Sequence, residues 1–335
     1  MLAERLRELI RARGPITFRD WMEAALYDPE FGYYSRRDLQ RWGREGDYRT
    51  SPERSELFAA TFARYFAKLY DKLGQPSQWT IIEGGAGDGT FAQRVQRTLD
   101  ESYPRVFEAT HYLINEIHDV LPDPSDPCLY FSNELLDAFP VHRVVPEGEF
   151  YVALDPNGSF VLEVGPLSTP RLTQFLEEHS IELSPGQIIE VNLAIDDWLA
   201  SLATKLKRGY VITVDYGAEA SELYDPTLRP EGTLRAFSRH KFVDNVLLVP
   251  GEHDITSSVN WTQVRATGER LGLRVVEFDS QDRFLLRHGL LEELSHRLTR
   301  IDTEADKLRL TTDAREMILP GGMASSFQVL VQKVG

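Results

Sequence analysis

The sequence predicts a doubly wound α/β fold of the Rossmann-like kind, with a mostly parallel sheet, on three observations. Short apolar runs of β type alternate with amphipathic helical stretches along the chain. Two of those runs, 79–83 and 210–215, are rich in Val and Ile and end on an acid, Glu83 and Asp215. The first leads straight into Glu83-Gly84-Gly85-Ala86-Gly87-Asp88-Gly89 and then a helix-like stretch from Thr90 to Leu99. In such a sheet, ligands sit beyond the carboxyl ends of the strands, where the strand order switches.

The elements follow in order. Residues 1–13 place Leu2, Leu6, Leu9 and Ile10 on one helical face. Thr17 opens a second helix, to Leu26, as its N-cap. Residues 28–52 are rich in Gly, Pro, Tyr and charge and read as an irregular loop. A helix from Leu57 to Leu73 carries Phe58, Phe62, Tyr65, Phe66 and Tyr70. Strands are expected at 79–83, 111–116 and 128–132. Segments 142–146, 149–154 and 159–164 read as antiparallel, with Asp155-Pro156-Asn157-Gly158 as a turn. A helix over Arg171–His179, an extended piece at Gln187–Val191 and a helix over Ala194–Leu206 ended by Gly209 come next. After strand 210–215, residues 216–258 are loop-rich. A helix at 260–271, a strand at 273–278, helices near 281–298 and 303–317, and an alternating closing strand at Ser326–Lys333 complete the chain. There are no repeats or heptads.

Composition narrows the function classes. A net charge of −15 argues against non-specific binding to nucleic acid or to an anionic membrane surface. The single cysteine, Cys128, excludes an internal disulfide framework and fits a reducing compartment. It precedes Leu129-Tyr130-Phe131 and reads as a buried core thiol. No apolar stretch reaches the roughly 18 residues that span a bilayer. Arg5, Arg7, Arg11 and Arg13 would suit an organelle presequence, but Glu4 and Glu8 interrupt them, and an exposed helix face is the expectation. The expected location is a bacterial-type cytoplasm. The histidines and the cysteine show no metal-ligand spacing, and there is no P-loop lysine or Gly-x-Ser-x-Gly elbow.

The glycine-rich turn carries the chemistry. Gly85, Gly87 and Gly89 let the backbone turn sharply and approach a ligand closely. The helix start adds N–H groups and a positive dipole end. A carboxylate beside the turn repels a pyrophosphate but holds a cationic amine. That favours S-adenosylmethionine, with its ammonium and sulfonium charges, over NAD. The bland reading is a tight strand-to-helix connection. Glu116 lies 29 residues after Gly87, at a strand end where a carboxylate accepts ribose hydroxyls or is simply solvated. In Ser132-Asn133-Glu134-Leu135-Leu136-Asp137, a helical turn would put Glu134 and Asp137 on one face. Two carboxylates suit a guanidinium fork, and the same residues would equally cap a helix. Asp215-Tyr216-Gly217 lines a cleft or makes a turn. In the polar stretch from Gly232 to Thr256, His240 is a candidate general base or a structural histidine.

Six motifs in order carry a resemblance: Gly46-Asp47-Tyr48-Arg49-Thr50-Ser51-Pro52-Glu53, Glu83–Gly89, Asn133-Glu134-Leu135-Leu136-Asp137-Ala138-Phe139-Pro140-Val141, Asp215–Gly217, Gly232-Thr233-Leu234-Arg235, and Pro250-Gly251-Glu252-His253-Asp254-Ile255-Thr256. Together they resemble the MidA-type S-adenosylmethionine-dependent methyltransferases, which include a mitochondrial complex I assembly factor that methylates an arginine. The resemblance runs from about Ile16 to the closing strand. It implies a methyltransferase domain over 57–335 with insertions near 142–190 and 218–258, and an N-terminal helical lid segment over 1–56. It implies that Glu83, Gly85, Gly87 and Gly89 cradle the methionine part of the cofactor and that Glu116 holds the ribose. Asp47, Thr50 and Ser51 would join them from the lid. Asn133, Glu134 and Asp137 would face the methyl acceptor. The implied partner is a protein substrate, such as a complex I subunit; the oligomeric state stays open, a homodimer being one arrangement.

Two departures stand out. Only 16 residues separate Glu116 from Asn133, where the family carries a helix and a strand beside the adenine. Gly84 and Ala86 stand where a larger apolar residue and a proline are expected. Three functions follow: a protein arginine methyltransferase, a methyltransferase fold kept for binding or assembly, and an NAD-dependent oxidoreductase that the acid before the glycines disfavours.

Overall fold

The run Trp79–Gly84 (β1) is buried at every position, as an apolar strand in the middle of a parallel sheet must be. The computed structural model describes residues 1–36, 55–116, 119–124, 126–238, 241–243, 245–319 and 326–335. Of these, the residues within Met1–Tyr48, Leu136–Trp198 and Ala218–Val264 form one compact unit. Those within Arg49–Leu135, Leu199–Gly217 and Arg265–Gly335 form the other.

The second unit holds the main sheet. Its further strands are β2 (Thr110–Asn115), β3 (Cys128–Asn133), β4 (Gly209–Ala218), β5 (Arg274–Ser280) and β6 (Phe327–Val334). They lie in the order β5-β6-β4-β3-β1-β2. β1 pairs in parallel with β2 and β3, and β3 in parallel with β4. The closing strand β6 is antiparallel to both β4 and β5. The fold class expected from the sequence is the one observed. The chain leaves β1 toward β2 on one side and returns to β3 on the other, so the order switches at the carboxyl end of β1. That is where an open α/β sheet leaves a crevice for a ligand.

Helix Glu56–Lys72 packs its aromatic stripe on one face of this sheet. Phe62 lies 5.4 Å from Phe284 in a stacked arrangement and 5.0 Å edge-on from Phe131, which itself stacks on Phe91 at 4.5 Å. Such ring pairs add about 0.5–1.5 kcal/mol each beyond their buried area. Cys128 is buried in β3, as expected.

The short connection from β2 to β3 contains no helix or strand among its described residues. A parallel crossover needs only about a dozen residues, so the chain can return without the missing pair of elements. Lys205 and Arg208 pair with Asp123 and Asp126 along it, the second pair at 3.6 Å. β2 is left as the outer strand of this path.

In the first unit, helix Leu2–Arg13 buries Leu2, Leu6 and Ile10. Helix Phe18–Tyr27 is capped by Thr17, whose hydroxyl accepts the Asp20 N–H at 3.0 Å. An antiparallel sheet runs Ile16–Thr17, Gly148–Leu154, His142–Val145, Ile189–Val191, with Phe160–Gly165 on the free side of Gly148–Leu154. The expected turn forms, with Asp155 Oδ1 accepting the N–H groups of Asn157 and Ser159 at 2.9 and 2.8 Å.

The stretch expected to be loop-rich contains short strands: Arg235–Ser238 pairs with Lys241–Phe242 and with Asp254–Thr256. They are too short to show alternation in the sequence. A helix at Pro104–Ala109 was also not expected. The Gly232-Thr233 motif wraps a buried carboxylate: Glu190 Oε2 accepts the Thr233 N–H at 2.6 Å and its hydroxyl at 3.2 Å. Gly232 has φ +78, and a Cβ there would lie 2.4 Å from the Glu190 carboxylate. Arg143 pairs with Glu190 at 3.4 Å from the opposite side.

Candidate functional site

Glu83 ends β1 with its side chain almost fully buried, at 5% exposure. Its carboxyl is on the same sheet face as Tyr112 of β2, whose hydroxyl donates to Glu83 Oε2 at 2.8 Å. Burial pushes the Glu83 carboxyl up to about 8. The Tyr112 hydrogen bond works against that rise, and the negative charges of Glu116 and Asp88 add to it. At neutral pH the Glu83 carboxyl of the chain itself therefore holds a proton.

The turn that follows is fixed by its own polar groups. Gly85 N–H donates to Asn115 O at 2.9 Å, and Gly89 N–H to Ala86 O at 3.0 Å. Asp88 accepts the Thr90 N–H at 2.9 Å and the Thr90 hydroxyl at 2.8 Å, just ahead of helix Thr90–Ser102, whose N-cap is Gly89. Gly85, Gly87 and Gly89 have φ of +67, +60 and +73, in the left-handed region where side chains are strained. Glu116, exposed at the end of β2, accepts the Gly87 N–H at 3.1 Å. It thus buttresses the turn from outside. The Gly84 departure has a steric reason: a Cβ there would lie 2.0 Å from the Tyr130 hydroxyl of β3.

A polar row crosses the sheet at this level. Asn115, Gly84, Ser132 and Thr213 are register partners on four adjacent strands. Asn115 Nδ2, Ser132 Oγ and Thr213 Oγ1 are buried and have no hydrogen-bond partner among the described residues. Buried polar atoms without partners are uncommon and call for a ligand or water.

Beyond β3 the expected helical turn does not form. Glu134 has φ +52, and its N–H donates to Val214 O at 2.9 Å. The Leu135 N–H donates to Asp215 Oδ2 at 3.2 Å. Two amides that a first helical turn would leave outward are bound to the tip of β4 instead. Asn133 Nδ2 donates to Glu134 Oε1 at 2.9 Å. Asp137 lies in the other compact unit, buried, with its carbonyl accepting the Ser257 N–H at 2.9 Å. The spacing argument that put Glu134 and Asp137 on one helical face is therefore corrected. Asp47, Thr50, Ser51 and His240 lie outside the described residues.

Sequence reasoning missed Tyr112, Asn115 and the buttress role of Asp215. The signal for Asp215 was its place at a strand end; its tie to Leu135 depends on which strand lies beside it.

A family model described as "Putative S-adenosyl-L-methionine-dependent methyltransferase" matches residues 61–123 and 118–279. The chain is 28% identical to the protein arginine methyltransferase NDUFAF7 homolog, mitochondrial, of Drosophila melanogaster, over 81% of this chain and 70% of that protein. It is 25% identical to protein arginine methyltransferase NDUFAF7, mitochondrial, of Bos taurus, over 96% and 80%. A Burkholderia thailandensis protein crystallised with S-adenosyl-homocysteine superposes with a TM-score of 0.85 at 28% identity, over 99% of this chain and 91% of that one. The oxidoreductase alternative ends with these matches. So does the expected cytoplasmic location, because the curated relatives are mitochondrial proteins.

The residues present fit S-adenosylmethionine. A buried carboxyl at the strand tip suits its ammonium, the glycine turn leaves room for its backbone-like methionine end, and the polar row offers unsatisfied donors and acceptors. The chain belongs to this family of S-adenosyl-L-methionine-dependent methyltransferases.

Proposed function

We propose that the chain transfers a methyl group to an arginine nitrogen of a protein substrate. The names of the curated relatives support this acceptor. The observation that carries the reading is the polar tip of β3, where Asn133 and the left-handed Glu134 are held by β4 beside the cofactor turn of the same unit. In this reading Glu83, Gly85, Gly87, Gly89 and Glu116 hold the cofactor, joined by Asp47, Thr50 and Ser51. Residues 57–335 are the methyltransferase domain, with insertions near 142–190 and 218–258 and an N-terminal segment over 1–56. The acceptor protein is a subunit of respiratory complex I, as the resemblance to the MidA type implies.

Bound S-adenosylmethionine supplies a methyl group activated by positively charged sulfur. The chain's own residues then have two tasks. A guanidinium is protonated below a pKa of about 12, so its nitrogen is a poor nucleophile until a proton is shared away. Asn133 and Glu134 orient the planar fork by charge-assisted hydrogen bonds, and the Glu134 carboxylate accepts the departing proton. Positioning supplies the rest of the rate.

The test is the variant Glu134→Gln. S-adenosylhomocysteine binding should persist by calorimetry while methylation of lysate protein, read by mass spectrometry, is lost. Full activity in that variant refutes the roles. One observation favours a second reading, a methyltransferase fold kept for binding or assembly: the short 117–132 segment, where the resemblance implies a helix and a strand beside the adenine. Failure of the wild-type chain to bind S-adenosylhomocysteine would select it.

A further inference from the structure

At the tip of β1, Glu83 is paired with Tyr112 of the neighbouring strand. Tyr112 is two residues short of the position level with Glu83, since Glu83 is in register with Ile114 and Ile81 with Tyr112. The two side chains therefore meet across this offset, with the hydroxyl 2.8 Å from Glu83 Oε2. Among the described residues this is the only hydrogen bond to the carboxyl, and it occupies Oε2 alone. The groups facing Glu83 are Tyr112 from β2, Glu116 from the end of β2, and Asp88 from the turn. Tyr130, from β3 on the other side, comes against Gly84. None of these described groups is a cation, so an arriving ammonium would supply the opposite charge that they lack.

We propose that Tyr112 is a positioning residue that aims the Glu83 carboxyl at the cofactor's ammonium group, and that capture of an amine-bearing cofactor expels a proton from Glu83. The inference rests on the cofactor reading above and adds the proton and the tyrosine to it. Before the ammonium binds, Glu83 is a neutral acid at pH 7. When the ammonium arrives, the Glu83 O–H bond breaks, the proton leaves to solvent, and the carboxylate keeps one oxygen on Tyr112 and gives the other to the ammonium. The Tyr112 hydroxyl stays protonated throughout, because burial and the neighbouring Glu83 charge raise it well above its ordinary value. The direction of coupling follows. Rising pH tightens both cofactor and demethylated product, since both carry the amine. Ligands that lack it, such as methylthioadenosine, bind without the proton step.

The experiment is titration calorimetry of the full chain with S-adenosylhomocysteine at pH 6, 7 and 8, each in two buffers of different ionisation enthalpy. The wild type should release close to one proton at pH 7 and about half at pH 8, and its Kd should fall about tenfold from pH 6 to pH 7. Methylthioadenosine should release none. Tyr112→Phe removes a hydrogen bond that favours the carboxylate, so the release at pH 8 should rise toward one. Loss of a merely structural tyrosine would weaken binding equally at every pH and leave the proton count alone. Glu83→Gln keeps the shape and should abolish release altogether. Wild-type binding without proton release, or Tyr112→Phe with the wild-type count at pH 8, overturns the proposal. Absence of any S-adenosylhomocysteine binding by the wild type brings down the cofactor reading, and this inference with it.

Discussion

Substituting Gly84 by alanine tests the steric account of the departure at the start of the turn. A Cβ at 84 would lie 2.0 Å from the Tyr130 hydroxyl oxygen and 2.7 Å from Cζ. Ordinary contact begins near 3.4 Å, so the ring must retreat by more than 1 Å. Tyr130 is only 2% exposed, in a strand paired on both sides, so it has no open space to swing into. Overpacking of this kind costs about 1–3 kcal/mol, and the upper end is expected because the obstacle is rigid. For a chain of this size, about 3 kcal/mol lowers the melting temperature by roughly 4 °C. Urea and thermal unfolding of Gly84→Ala, Tyr130→Leu and the double variant measure it. Tyr130→Leu should be destabilising by about 2–4 kcal/mol through its cavity. The pair should recover about 2 kcal/mol relative to the sum of the singles. A Gly84→Ala protein within about 0.5 kcal/mol of wild type, or strict additivity in the cycle, refutes the argument.

Two further outcomes follow from the site and its surroundings. Glu83 is raised to about 8 in the folded chain, so the fold binds a proton that the unfolded chain releases. Stability should therefore be full below about pH 4.5 as far as this group is concerned, fall as pH rises toward 8, and stay low above it; Glu83→Gln should flatten that slope and stabilise by about 3 kcal/mol at pH 7, read from urea midpoints across pH. Gly232→Ala should be destabilising by about 2 kcal/mol or more, because the new methyl strikes the buried Glu190 carboxylate and φ is +78 there; the same unfolding assay decides it.

Much of this was legible in the residues. The acid at the end of a Val/Ile-rich run, followed by glycines and a helix start, marks both the strand and its ligand-facing tip, and the sheet order then fixes where the crevice opens. Register is harder. Tyr112 reaches Glu83 only because β2 pairs in parallel with β1 at one offset, and nothing in the local sequence specifies that offset. The misreading at 134–137 has a similar cause. Spacing of three suggests a helical turn, yet the amides of Glu134 and Leu135 are claimed by Val214 and Asp215, some 80 residues on. The pairs at Arg235–Ser238 and Asp254–Thr256 were hidden by their brevity, since three or four residues cannot display a period.

Glu134 stands at a backbone angle that suits asparagine or glycine better than a long acid. Retaining an ill-suited residue there costs the molecule about 1 kcal/mol. A library sorted on heat resistance alone would accordingly be drawn toward the small or amide-bearing replacements, and would enrich firm proteins that have lost a negative charge at the rim of their crevice. Stabilising this scaffold for use as a reagent thus calls for leaving position 134 fixed while everything around it is allowed to vary.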